Sequence, residues 1–437
     1  MYNLDYIDRA YLDLLKENTG INYLSNNKLK CQIIDRGYIL PAKFVEGIPY
    51  GGPVGGVFTS DKEFIPNTLL MIDGEWYETQ DEEIIFEDET VLYIGTLVSG
   101  WGHFITDCLK QMWFLLTPEY HKLKAENIKL VCNVIPGFRF NSNHIALLSM
   151  IGLDVNDIHF ISKPSRFKKI FLPETSFTLL KIAEDDYRGR YFTNEYLDLI
   201  NHITAQIPDS ARYEKIYYSR TNLHDSRDVG EKDIEKLFKS MGFKIVKPEK
   251  LTFEEQLSIL QGCKCFAATE GSVSHNAIFL KEGTKTIIFR KYWGVNDYQL
   301  TINCAKKLNV TYVDAHLSAP KIDGFGGPFF LYVNEHVREF AKDFASINIP
   351  YSGFYYSNFT EYYRKLIMGT NFSDLKPDLY YHEKLRNELK YTQLRYKLPR
   401  FLYRLFSVSF PFLSSKSKQY IVDKIKLLFK IIQTIYR

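Results

Sequence analysis

In the stretch Lys264-Cys265-Phe266-Ala267-Ala268-Thr269-Glu270-Gly271-Ser272-Val273-Ser274-His275-Asn276, Lys264 to Thr269 read as a short buried strand that runs into a glycine turn and then a helical segment. Three more apolar runs of similar length surround it: Lys215 to Arg220, Phe243 to Lys247 and Lys285 to Arg290, each with room for one helix between. Short strands alternating with helices point to βα units and a parallel sheet. The helix starts are marked as well. Asp228 stands three residues before Glu231 and Thr252 three before Glu255, the spacing of a capping box that satisfies the first free N–H groups of a helix. Gly242 is placed to close the first helix as a C-cap. Ligands of open α/β sheets bind beyond the carboxyl ends of the strands, so Ser219, Arg220, Thr269, Glu270, Gly271 and Tyr292 are expected on one rim.

A chain of 437 residues has room for two ordinary domains and an appendage. With 45% hydrophobic and 24% charged residues it has globular composition, not that of a disordered chain. The net charge of +3 hides an uneven split, because residues 390–437 hold 11 Lys or Arg against one acid, Asp423. The first 389 residues are left with 44 basic and 51 acidic side chains, a net of −7. Such a body is a poor partner for nucleic acid, whereas the tail suits an anionic membrane surface. In that tail Ile421, Ile425, Leu428, Ile432 and Ile435 recur at helical spacing opposite Lys426, Lys430 and Arg437. This is the pattern of an interfacial helix, or of a stripe packed on protein. The six cysteines show neither a zinc spacing nor a disulfide framework. Met1 to Lys16 has early acids and no apolar h-region, so no secretion signal is expected, and no run approaches 18 apolar residues. The expected location is cytoplasmic, peripheral at the inner face of the cell membrane.

A second α/β unit opens with the strand Val91 to Gly95, passes the loop Ser99-Gly100-Trp101-Gly102, and continues as a helix from His103 to Leu116. Strands at Lys129 to Val134 and Lys169 to Leu172 follow, with helices at Asn143 to Ile151 and 193–206. The glycine cluster 51–56 reads as a turn into a strand at Val57 and Phe58. The expected organisation is an N-terminal extension over 1–60, Rossmann-like domains over 61–205 and 206–320, helices that pack back on the body over 321–389, and the basic amphipathic tail 390–437.

Four groups are candidates for chemistry. His103, Asp107 and Gln111 form a stripe four residues apart beside an apolar helix face; a carboxylate one turn from a histidine makes a general base with its orienting partner, or a pair that stabilises a helix start. At the other rim Ser272 is expected to cap a helix from Val273 to Lys281, leaving N–H groups for a diphosphate, with Gly271 beneath and His275 and Asn276 adding donors. The alternative is an ordinary cap with a solvated His275. Arg220 and Arg227 would neutralise a departing diphosphate, although Arg227 also has Asp225 and Asp228 within reach. Tyr292 and Trp293 would stack on a base or fill core. No Asp-X-Asp occurs, so no metal cofactor is expected.

Taken together, Gly100-Trp101-Gly102-His103-Phe104-Ile105-Thr106-Asp107, Tyr217-Tyr218-Ser219-Arg220, the Asp228 to Glu231 helix start, Gly242-Phe243, Leu251 to Gln256 and the Glu270 to Phe279 turn resemble the glycosyltransferase 61 family over about 90–315. The resemblance implies a GT-B fold, two Rossmann-like domains facing a cleft: an acceptor domain over 61–205 and a nucleotide-sugar domain over 206–320. It implies an inverting, metal-independent hexosyl- or pentosyltransferase using a nucleotide sugar, commonly a UDP-sugar. Bacterial relatives of this length serve surface or capsular polysaccharide synthesis. Asp107 matches the acidic position after the family's His-Phe, so Asp107 with His103 is the expected base. Arg220, Ser272 and Asn276 match positions lining the nucleotide pocket, to which Ser219, Arg227, Gly271, His275 and Trp293 are added. Where the family often has His-Gly-Ala-Gly-Leu-Thr-Asn, Glu270 replaces the histidine, which makes it the competing base. The expected partners are a nucleotide-sugar donor, a glycan or lipid-linked glycan acceptor, and an anionic membrane through 390–437. Rival readings are a non-catalytic sugar or nucleotide-binding module of an assembly complex and a nucleotide-sugar hydrolase.

Overall fold

The four apolar runs become the strands Tyr213–Tyr218, Lys244–Val246, Cys263–Thr269 and Lys285–Arg290. These belong to a computed structural model that describes residues 1–44, 53–70, 77, 83–179, 190–208, 213–223, 227–317, 321–322, 327–350, 353–369 and 375–376. The molecule is an α/β protein on two main sheets. Across the six-stranded sheet the order is Tyr2–Tyr6, Asn309–Asp314, Lys285–Arg290, Cys263–Thr269, Tyr213–Tyr218, Lys244–Val246. Every pairing is parallel. Ile216, Tyr217 and Tyr218 are fully buried, as are Phe266 to Ala268 and Ile287 to Phe289. Continuous burial of this kind, rather than alternation, is what a parallel sheet covered on both faces requires. The order reverses between Tyr213–Tyr218 and Cys263–Thr269, and a crevice at such a switch point is the usual ligand site of the architecture.

Local signals explain some boundaries and mislead at others. The Thr252–Glu255 capping box forms, with both reciprocal bonds made at the start of the helix Phe253–Gly262. Gly242, at φ +81°, ends the helix Glu231–Ser240, and the next amide, Phe243 N–H, donates back to the Phe238 carbonyl. Asp228 is no cap. It lies in the short strand Asp228–Val229, paired in parallel with Phe329–Phe330, and the helix starts from Gly230, which has φ +93° and where a Cβ would stand 2.0 Å from the Leu331 carbonyl oxygen. The expected helix from Val273 to Lys281 is instead a 3₁₀ segment, Ser274–Phe279, without a side-chain cap. Ser274, not Ser272, closes the turn, its hydroxyl bonding both the N–H and the carbonyl of Gly271. A helix from His103 to Leu116 is likewise broken into one α-turn Trp101–His103, a π segment Phe104–Cys108 and a 3₁₀ segment Met112–Leu116. The break falls at Lys110, whose carbonyl accepts both the N–H and the hydroxyl of Ser176 instead of continuing a helical ladder.

The seven-stranded sheet runs Pro53–Phe58, Tyr38–Phe44, Ser165–Pro173, Ile85–Leu97, Lys129–Val134, Ile158–Phe160, with Cys31–Asp35 also on Ser165–Pro173. Its central strands are parallel, and those from the first sixty residues join antiparallel. The first sixty residues therefore serve both sheets, since Tyr2–Tyr6 edges the other one. Helices Ser142–Met150 and Asn194–Thr204 stand close to their expected places. One apolar cluster spans the two sheets: Ile94, Phe104 and Met112 are continuous with Phe253, Phe266 and Ile278. Each such fully buried side chain contributes about 1.5–3 kcal/mol, so the junction of the halves is a packed core. Helix Glu335–Ala345 covers the other face of the six-stranded sheet with Val337, Phe340 and Ala341 against Ile287 and Phe289. Among the described residues, no helix is long and apolar enough to cross a membrane. The tail 390–437 lies outside the described residues.

Candidate functional site

At the junction, the loop Ser99 to Gly102 brings the broken helix against the Gly271–Ser272 turn. Gly102 makes this approach possible, because a Cβ on it would sit 2.8 Å from both His275 Nδ1 and Ser272 Oγ. Beside it the Trp101 indole donates from Nε1 to Asn276 Oδ1 at 2.9 Å and packs edge-on to Phe253. One residue on, His103 Nδ1 bonds Asp107 Oδ2 at 2.8 Å. The two differ sharply in access: the His103 side chain is 47% exposed and that of Asp107 is 3%. Asp107 Oδ2 also accepts from the Tyr298 hydroxyl at 2.7 Å and the Thr106 hydroxyl at 3.3 Å. Desolvation pulls the His103 pKa down, but the Asp107 hydrogen bond and charge outweigh it and the net shift is upward. For Asp107 burial pushes up and the His103 bond and charge pull down further, so the carboxylate stays ionised. An ionised, enclosed carboxylate holding one nitrogen of a half-exposed imidazole leaves the other nitrogen to take a proton.

The second group lies on the carboxyl rim of the six-stranded sheet. Glu270 is 1% exposed, its N–H bonded to the Phe289 carbonyl, and burial raises its pKa to about 7 against the charges of Arg290 and Lys291. Glu270 Oε2 has no hydrogen-bond partner, and neither has the buried Thr269 hydroxyl next to it. Orphaned buried polar atoms at a switch point call for a ligand or water. Lys291 Nζ pairs with Asp228 at 3.1 Å and lies 3.2 Å from where a Gly271 Cβ would stand. Arg290 binds Asp314 at 2.6 Å and the carbonyls of Trp293 and Gly294. Arg220, a quarter exposed, reaches Asp228 at 3.5 Å. The two groups meet at Gly271–Ser272.

The structure brings His103, Asp107, Gly271, Ser272, His275 and Asn276 together and sets others apart. Ser272 is exposed at the junction and caps nothing. His275 is not solvated: it is 6% exposed, burial lowers its pKa to about 3, and Nε2 meets Asn296 Oδ1 at 3.4 Å. Asn276 spends its amide on Trp101 and on the carbonyls of Val273 and Ser272. Ser219 is fully buried in a knot with Thr221, Glu235 and Lys247. Arg227 is exposed, and its carbonyl accepts from Phe329 N–H. Trp293 is half-buried against the main core. Sequence reasoning missed Tyr298, Lys291 and the Arg290–Asp314 pair. Lys291 and Arg290 end the same strand and could have been found from that position, but Tyr298 carries no local signal, its partner being 191 residues away.

Among the described residues no group of three or more His, Cys, Asp and Glu side chains is assembled to hold a metal. Two shallow pockets, of about 420 and 360 Å³, lie elsewhere, one by Ser142, Met150 and Glu254, the other by Asn67, Gln111 and Tyr191. A family profile described as Glycosyltransferase 61 matches residues 101–287. No curated protein matches the chain.

Proposed function

We propose that the chain, whose residues 101–287 match the Glycosyltransferase 61 profile, is a glycosyltransferase of that family and moves a sugar from a nucleotide-sugar donor, a UDP-sugar first, to a glycan or lipid-linked glycan acceptor. Transfer inverts the anomeric carbon and uses no metal. The observation that supports this reading most is the half-exposed His103 anchored by the enclosed Asp107 at the junction, facing the turn that ends the Cys263–Thr269 strand. His103 takes the proton of the acceptor hydroxyl as its oxygen attacks the anomeric carbon. The bond to the diphosphate breaks, and its electron pair leaves with the diphosphate. Arg220 and Lys291, both at strand ends on the rim, offset the charge that develops there. Asp107 orients the imidazole rather than taking the proton itself, because a 3% exposed carboxylate with three donors on one oxygen does not meet an acceptor. Glu270, 1% exposed on the rim, is the competing base. On this proposal the two sheets play the two halves of a GT-B enzyme, and the basic tail holds it at the inner face of a membrane for surface polysaccharide synthesis.

The test is donor binding followed by turnover. Among UDP-, GDP- and CMP-sugars, one should raise the apparent melting temperature, as a ligand of the folded state does. His103→Gln and Asp107→Asn should keep that shift and each cut transfer by at least about 10²-fold, the lower end for loss of general-base help. Activity should survive EDTA. Full activity in His103→Gln with loss in Glu270→Gln would move the base to Glu270. Nucleotide release that is independent of acceptor would make the chain a hydrolase.

A further inference from the structure

We propose that Tyr298 is the positioning residue of the His103–Asp107 pair, reaching from the second half of the molecule to share the one carboxylate oxygen that holds the imidazole; this rests on His103 serving as the base. Tyr298 is the second residue of the helix Asp297–Ala305, which Asn296 caps. Its hydroxyl lies 2.7 Å from Asp107 Oδ2, the oxygen that His103 Nδ1 reaches at 2.8 Å. The ring stands edge-on to His103 with centroids 5.3 Å apart, lies 5.6 Å from His275, and stacks at 6.2 Å on Phe177. Packing thus fixes where the hydroxyl points, and burial beside Asp107 keeps the phenol protonated, so it always donates.

Donors on one oxygen compete for its charge. The phenol draws charge that the imidazolium would otherwise take, which keeps His103 from being locked in its protonated, non-basic form. The other charged or titratable groups around the pair act through space: Lys110 and Cys108 on the same segment as Asp107, Tyr196 from the helix Asn194–Thr204, His275 across the turn with Lys291 beyond it, and Asp297 paired with Arg190 at 2.6 Å. Because Asp107 and Tyr298 come from different halves, the pair is completed across the junction.

The experiment uses the full chain with ring-labelled histidine and follows each imidazole through a pH titration by NMR, His103 being identified by the signal lost in His103→Gln. Tyr298→Phe keeps the ring and removes the donor. The His103 midpoint should move to higher pH, the acid limb of kcat/KM should move with it, and kcat at neutral pH should fall about tenfold, a fraction of full general-base help. Tyr298→Met serves if the Phe variant does not fold, with the same expectation. A lower melting temperature with an unmoved or lowered His103 midpoint would reduce Tyr298 to packing and overturn the proposal. If the midpoint rises while His103→Gln still transfers sugar at the parent rate, Tyr298 stands as the partner of the pair and it is the base assignment that fails.

Discussion

Glu270 and His275 are buried with opposite consequences for their protons. Burial, against the pull of Arg290 and Lys291, raises the Glu270 pKa from 4.5 to about 7. Folding therefore favours its neutral form, and the fold loses stability as pH rises from 4.5 to 7. Burial lowers His275 from 6.5 to about 3, so its contribution is lost as pH falls below 6.5. Between 4.5 and 6.5 the two slopes oppose, and the parent curve hides both. Glu270→Gln should uncover them: relative to the parent, its urea-unfolding free energy should climb from pH 4.5 to 7 by at most about 1.4 kcal/mol per pH unit, then level off. Parallel curves would show that Glu270 is not held neutral. At this scale the His103–Asp107 pair was legible, since four residues on a helical turn put both on one side. The neutrality of His275 was not, because a first-turn histidine looks solvated until the Gly102 loop is laid across it.

Among the elements, the short turn from Gly100 to Gly102 carries the most consequence per atom. Ala at 102 would bring a methyl to 2.8 Å from His275 Nδ1 and Ser272 Oγ, so the broken helix and the Gly271–Ser272 turn would have to part. Overpacking of this kind costs about 1–3 kcal/mol. Gly102→Ala should lower the melting temperature and, by moving His103 away from the rim, cut transfer more than that loss of stability accounts for at a temperature where it remains folded. Full transfer with an unchanged melting temperature would mean the junction yields without cost. Capping spacing succeeded at Thr252–Glu255 and failed at Asp228–Glu231 for a physical reason. Asp228 has a buried lysine, Lys291, to neutralise it, and a parallel partner strand to hold its backbone, neither of which lies near it in sequence.

For the molecule as a whole, charge is divided between an acidic body and the basic segment 390–437. Each basic residue near an anionic leaflet is worth about 1 kcal/mol, so several acting together would hold the chain reversibly. The full chain should float with anionic but not neutral vesicles and release in high salt. A chain lacking 390–437 should stay in solution, and equal flotation without that segment would sink the membrane proposal.

What the sequence by itself determined is what short-range chemistry can encode: four of the six strands of the all-parallel sheet from their buried apolar runs, the Thr252 cap, the Gly242 stop, and the histidine and aspartate one turn apart. The tertiary structure alone decided which of these groups meet. It split the expected helix at Lys110 by offering Ser176 to its carbonyl. It gave Asp228 to Lys291, closed the Gly271 turn with Ser274, and set Tyr298 on Asp107 across 191 residues. Periodicity and capping report only neighbours along the chain, whereas a buried charge or hydroxyl takes whichever partner the packed halves bring within about 3 Å.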